Sequence, residues 1–215
     1  MKTKPSITLS AKKIALVAVM TATIEGVKLA LTALPNVEAV TLLCAAYGYV
    51  FGPLGLLATS LFVVIETFIY PIHTWVIYYM IHWNAVCFVF WMLGKEKIKN
   101  RILLTAVAVL QTAFFGVETS LIDTGLLSGF YNDFWHRFVI LYVRGIAFYI
   151  VQVTCNLILF PIVFIPFTKF LSKTKENYFI IPKKEKDMLP ATADAQSAEL
   201  LVTKTETQPI DSEGK

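Results

Sequence analysis

The chain of 215 residues is 56% hydrophobic and 16% charged, with a mean hydropathy of +0.64 and a formal net charge of +4. Apolar runs of about 20 residues match the ~30 Å hydrocarbon thickness of a bilayer, which excludes an ordinary soluble domain. The positive balance does not indicate a nucleic-acid binder, because the lysines gather at the ends of apolar runs, where membrane topology puts them.

In chain order, residues 1–10 read as a short cytoplasmic segment. The first apolar run extends from Ala11 to about Leu34 and closes at Pro35. Its basic start followed by Ile14–Met20 imitates a secretory leader, but the run continues past leader length and is expected to stay. A second run, Val40–Phe51, ends at the turn of Gly52, Pro53 and Gly55, and a third covers Leu56–Tyr70 up to Pro71. Both are short for a crossing at 1.5 Å per residue and are expected to tilt or borrow flanking residues. The fourth covers Trp75–Leu93, the fifth Ile102 to about Leu127, and the sixth Phe134 to about Leu171, with Pro161 and Pro166 kinking the last rather than ending it. Residues 11–171 thus predict an all-α integral membrane protein of six transmembrane helices.

From Lys169 to Lys215 there are eight basic and eight acidic residues, nearly half of all 34 charges, so residues 172–215 read as a polar, disordered cytoplasmic tail. Basic clusters precede the first run (Lys2, Lys4, Lys12, Lys13), follow the fourth (Lys95, Lys97, Lys99, Arg101) and end the sixth (Lys169, Lys173, Lys175). With six crossings all three lie on one side, which places both termini in the cytoplasm. Cys44, Cys87 and Cys155 fall inside apolar runs with no metal or disulfide spacing and read as small apolar residues.

Once the flanks and the tail are set aside, nine charges remain: Glu25, Lys28, Glu38, Glu66, Glu118, Asp123, Asp133, Arg137 and Arg144. On six crossings each falls in the outer half of its helix or in an outer loop, together with His73, His82 and His136. Ionisable groups within a membrane segment cost roughly 2.5–3.5 kcal/mol each on insertion scales and face polar cavities rather than lipid. The same layer holds Tyr70, Trp75, Tyr78, Tyr79, Trp83, Tyr131, Trp135 and Tyr142. An interfacial belt accounts for part of these rings. Rings combined with Glu25, Lys28, Glu38, Glu66, His82, Glu118, Arg137 and Arg144 also suit a solute pocket open to the outside. For each charge an internal ion pair, such as Glu25 with Lys28 at i,i+3, is the structural alternative.

On the first helix Ala11, Ala15, Ala18 and Ala22 repeat at four, three and four residues. Such a small-residue stripe lets another helix approach closely, either inside the bundle or from a second protein. No P-loop, HExxH or GxSxG motif occurs, and His73 and His82 lack zinc-helix spacing, so no catalytic centre, cofactor or metal is expected.

The alanine stripe, the segment LPNVEAVTLL from Leu34 to Leu43 and the segment VFGPLGLLATSLF from Val50 to Phe62 resemble the substrate-binding membrane subunit, the S component, of energy-coupling factor (ECF) transporters. The resemblance covers most of residues 11–171 and leaves out the tail. It implies a subunit of the bacterial cell membrane that captures a vitamin or similar micronutrient. It also implies a transmembrane coupling subunit and two ATPase subunits as partners. It assigns docking to Ala11, Ala15, Ala18 and Ala22, and loop gating over the substrate to Asn36, Val37 and Glu38. A stand-alone proton-coupled carrier, with Glu25, Glu66 or Glu118 taking the proton, is the other function the charges allow, although no internal repeat relates the two halves.

Overall fold

The computed structural model describes residues 11–35 and 37–179. The segment 1–10, Asn36 and the tail from residue 180 onward lie outside the described residues. The chain divides into two units, Met1–Thr174 and Lys175–Lys215, and the helical bundle belongs to the first. Every regular element among the described residues is helical: α1 (Ala11–Leu31), α2 (Val40–Phe51), α3 (Pro53–Ile69), α4 (Trp75–Lys95), α5 (Arg101–Ser128), α6 (Phe134–Leu159), a π-helical turn (Phe160–Phe164) and α7 (Ile165–Phe179).

Four stretches are long and apolar enough to cross a membrane: Ala11–Leu31, Trp75–Lys95, Arg101–Leu127 and the continuous run Phe134–Tyr178. Large apolar side chains such as Phe68, Ile102, Leu110 and Phe114 point outward from the bundle. A surface of this kind is stable in lipid and unstable in water. The chain is a multi-pass membrane protein.

Proline sets several of the boundaries. Pro35 disfavours helical backbone at the residue before it, and α1 gives way to turns at Thr32 and Leu34, three residues short of the expected end. Pro53 occupies the first turn of α3, where its missing N–H costs nothing, so α3 begins earlier than expected. Pro161 neither ends nor simply bends the sixth run. It sits in the π-helical turn, and its carbonyl accepts a bond from Arg101 Nη1 at 3.3 Å. Helix then continues through Pro166 to Phe179, eight residues into the stretch expected to be disordered tail.

The shortest helix is the pillar of the bundle. Eleven of the 12 residues of α2 are buried, and a helix that is hydrophobic all round belongs inside. Glycines let its neighbours close in: a Cβ on Gly48 would overlap the Cys87 carbonyl, one on Gly94 the Tyr49 carbonyl, and one on Gly55 the Tyr47 carbonyl. Backbones of α2, α3 and α4 therefore touch directly. Gly52 joins α2 to α3 at φ 57°, in the left-handed region, with Trp91 filling the space where a side chain would stand.

The segment before α2 dips into the bundle. Glu38 accepts bonds from the Thr41 N–H at 2.9 Å and the Thr41 hydroxyl at 2.8 Å. It also accepts one from Asn156 Nδ2 at 2.6 Å, and Asn156 in turn donates to Thr112 at 3.0 Å. Thr74, at the head of α4, is bonded to Asp123, eleven residues farther along α5 than Thr112. At 1.5 Å per residue Glu38 thus lies about 16 Å below Thr74. Irregular backbone at such depth is tolerated only where protein or a polar cavity surrounds it. Starting below the level of Thr74, α2 has less of the bundle to traverse with its 12 residues.

Candidate solute site

Three helices present rows of side chains at one end of the bundle. Phe62, Glu66 and Tyr70 are spaced i, i+4 and i+8 on α3 and its cap, and Trp75, Tyr79 and Trp83 repeat the spacing on α4, so each row shares a face. Lys28, in the last turn of α1, reaches between them and ion-pairs with Glu66. Its ammonium also sits over the rings of Tyr70 at 4.7 Å, Tyr79 at 5.3 Å and Phe62 at 5.8 Å. Three aromatic faces and a carboxylate form a cage for a positive charge.

The cage separates two cavities that share Lys28, Tyr70 and Tyr79. An outer vestibule of about 510 Å³ is lined by these three with Glu66, Pro71 and Trp75. An inner chamber of about 200 Å³ is bounded by Phe62, Trp83 and Phe115, by Gln152 of α6, and by the descending segment with Leu34, Pro35, Val37 and Glu38. Trp83 and Phe115 lie nearly parallel with centroids 5.8 Å apart, and Tyr79 meets Trp83 edge-on.

Polar groups inside this region are incompletely matched. Glu66 is 1% exposed, and its Oε1 has no hydrogen bond among the described residues. Glu25 is 8% exposed and lies beside Glu66 and Lys28, yet neither carboxylate oxygen makes a hydrogen bond of good geometry. One helical turn deeper on α4, buried His82 meets Glu118 through Nδ1 at 3.1 Å, leaving His82 Nε2 and Glu118 Oε1 without partners among the described residues. In a native interior each such atom calls for an explanation.

Of the candidates taken from sequence, the structure brings Lys28, Glu66, Tyr70, Trp75, Tyr79 and Trp83 around the two cavities, with Glu25 behind them. His82 and Glu118 pair with each other against Phe115. Glu38 lines the inner chamber, but both its oxygens are already bonded to Thr41 and Asn156, so its first role is to anchor the loop and start α2. Arg137 is engaged with Asp133, the Gly129 carbonyl and the Tyr131 ring at the head of α6, and Arg144 is exposed on α6. Neither borders these cavities. Lys28 pairs across the bundle with Glu66 rather than along α1 with Glu25.

The aromatic layer divides in two. Tyr70, Trp75, Tyr79 and Trp83 line the two cavities, whereas Tyr131 and Trp135 are exposed and border a separate hollow of about 740 Å³ with Leu121, Gly125 and Phe134. Sequence reading missed Phe62, Phe115, Gln152 and Asn156. The last two offered a signal, being polar residues at i,i+4 in the largely apolar second half of α6. The two phenylalanines carried none.

On α1 the buried face is Val17, Met20, Thr21, Ile24 and Glu25. Ala11, Ala15, Ala18 and Ala22 are all exposed on the other side, and Gly26, with open space around it, lengthens the stripe. The small residues are therefore not used for packing inside the bundle. No protein-family model, curated protein or solved structure matches the chain.

Proposed function

We propose that this protein is the solute-capturing membrane subunit, or S component, of an ECF-type ATP-driven importer in a bacterial cell membrane. In this reading the chain crosses the bilayer six times with both termini in the cytoplasm, and the caged end faces outward. The observation that carries the reading is a polar and aromatic double cavity at one end of an otherwise apolar bundle. A chain that only filled membrane space would have no reason to hold Glu25, Lys28 and Glu66 at bilayer depth, given what each costs there. The outward-facing alanine stripe supports the partner half, since shallow side chains leave room for a second helix to approach closely. A transmembrane coupling subunit and two ATPase subunits would supply the driving step.

The test is purification of the intact chain in mild detergent, with mass spectrometry of what accompanies it, followed by uptake in vesicles with and without the ATPases. Capture of a small organic nutrient and ATP-dependent uptake are the expected results. A proton-coupled carrier is the second reading, favoured by the buried His82–Glu118 pair, which could pass a proton along the bundle. Proton-driven, ATP-independent uptake by the chain alone would replace the importer with that carrier.

A further inference from the structure

We infer that Lys28 is a tethered occupant of a cation site, and that the captured solute is an aromatic compound bearing a positively charged amine, which takes the ammonium's place. The inference rests on the reading that these cavities receive the solute. The ammonium of Lys28 is held as a bound ligand would be: the Glu66 carboxylate pairs with it, and Tyr70, Tyr79 and Phe62 face it at 4.7–5.8 Å. The cage is thus already shaped for an alkylammonium.

Charge matching decides the sign of the guest. Glu25 and Glu66 are two buried carboxyls against one ammonium, while Glu38, the next acid in reach, is satisfied by its three donors. A buried charge without a counter-charge is unfavourable. A second cation finds a further carboxyl to pair with, whereas an anion would face two acids.

Glu25 supplies the second berth. It lies three residues before Lys28 on the same helix face, is more than nine-tenths buried, and sits beside Glu66 with neither carboxylate oxygen in a hydrogen bond of good geometry. When the guest's ammonium enters the Glu66 cage, the Lys28 side chain swings to Glu25, giving two ion pairs in place of one. The guest's ring then occupies the inner chamber, against the Trp83–Phe115 ring pair that walls it. Its volume of about 200 Å³ suits a single ring, since cavities near 150 Å³ accept benzene.

The experiment uses the full chain in detergent and follows tryptophan fluorescence and thermal shift with benzylammonium, benzyl alcohol and benzoate as probes. Benzylammonium should bind and the other two should be at least about tenfold weaker, a gap of ~1.4 kcal/mol. K28M should keep the benzylammonium site and tighten it about tenfold by removing the competitor, and E25Q should weaken it by a similar factor by removing the berth. Equal binding of benzyl alcohol, no benzylammonium binding up to about 10 mM, or loss of binding in K28M would each overturn the inference. If K28M does not accumulate, the charge series on the unaltered chain and E25Q decide. Preference for benzoate would refute the cation assignment and leave solute capture standing. Uptake independent of any ATPase would refute the importer and leave the cage standing.

Discussion

At the residue scale the Lys28–Glu66 ion pair is the contact on which stability and the proposed recognition both turn. Glu66→Gln takes the carboxylate out of the cage and leaves Lys28 only the Glu25 berth, a loss of roughly 1–3 kcal/mol. Thermal unfolding in detergent should therefore show a loss of that size for E66Q, while the double change K28M/E66Q recovers most of it. The recovery identifies the pair, not either group, as the unit. Sequence spacing pointed to Glu25 as the partner of Lys28, because only local neighbours are visible in a pattern of i,i+3 positions. The actual partner is 38 positions away, brought there by packing of α1 on α3 that no periodicity encodes. Seven of the expected contact residues do meet around the cavities, Glu38 among them, since polar and ring-bearing groups at one depth have few other places to go. Phe62 and Phe115 escaped notice because, among 16 phenylalanines, two that line a cavity look like any others.

At the element scale the tight points are glycines. Gly48→Ala would force α2 and α4 apart at the Cys87 carbonyl, a backbone overlap costing about 1–3 kcal/mol or more. Since α2 carries the floor of the inner chamber at Val40, G48A should lower solute affinity as well as melting temperature. Asn100 caps α5 by accepting from the N–H groups of Ile102 and Leu103 at 3.0 and 3.2 Å. Asn100→Ala should cost ~1 kcal/mol with no change in solute affinity, because the cap lies at the opposite end of the bundle. Binding isotherms beside melting curves would separate the two effects. Helix existence was readable from apolar runs, and α2 has the limits expected from its flanking turns. Its depth was not readable: a 12-residue apolar run looks the same whether it tilts through lipid or starts halfway down inside protein.

At the scale of the whole molecule the outer surface of α1 carries the assembly prediction. Ala15→Trp or Ala18→Trp adds a large ring to an exposed position, where it has room and does not disturb the folded bundle. Either change should reduce co-purification with a coupling subunit by an order of magnitude, or ~1.4 kcal/mol, and leave solute binding by the isolated chain unchanged. Unaltered co-purification would remove α1 as the docking face. The stripe was legible as a repeat of alanines, but whether it faced inward or outward depended on which side of α1 packs on α3, a matter settled only by the fold.

The enclosure of α2 has a consequence for how the protein meets its solvent. Helices in contact with acyl chains adjust by tilting when the hydrocarbon slab thickens or thins. This one touches protein on every side, so the height of the chamber floor is set by glycine contacts and by the anchor at Glu38. Solute affinity should accordingly stay level across nanodiscs of short-chain and long-chain lipid, even where the peripheral helices change inclination.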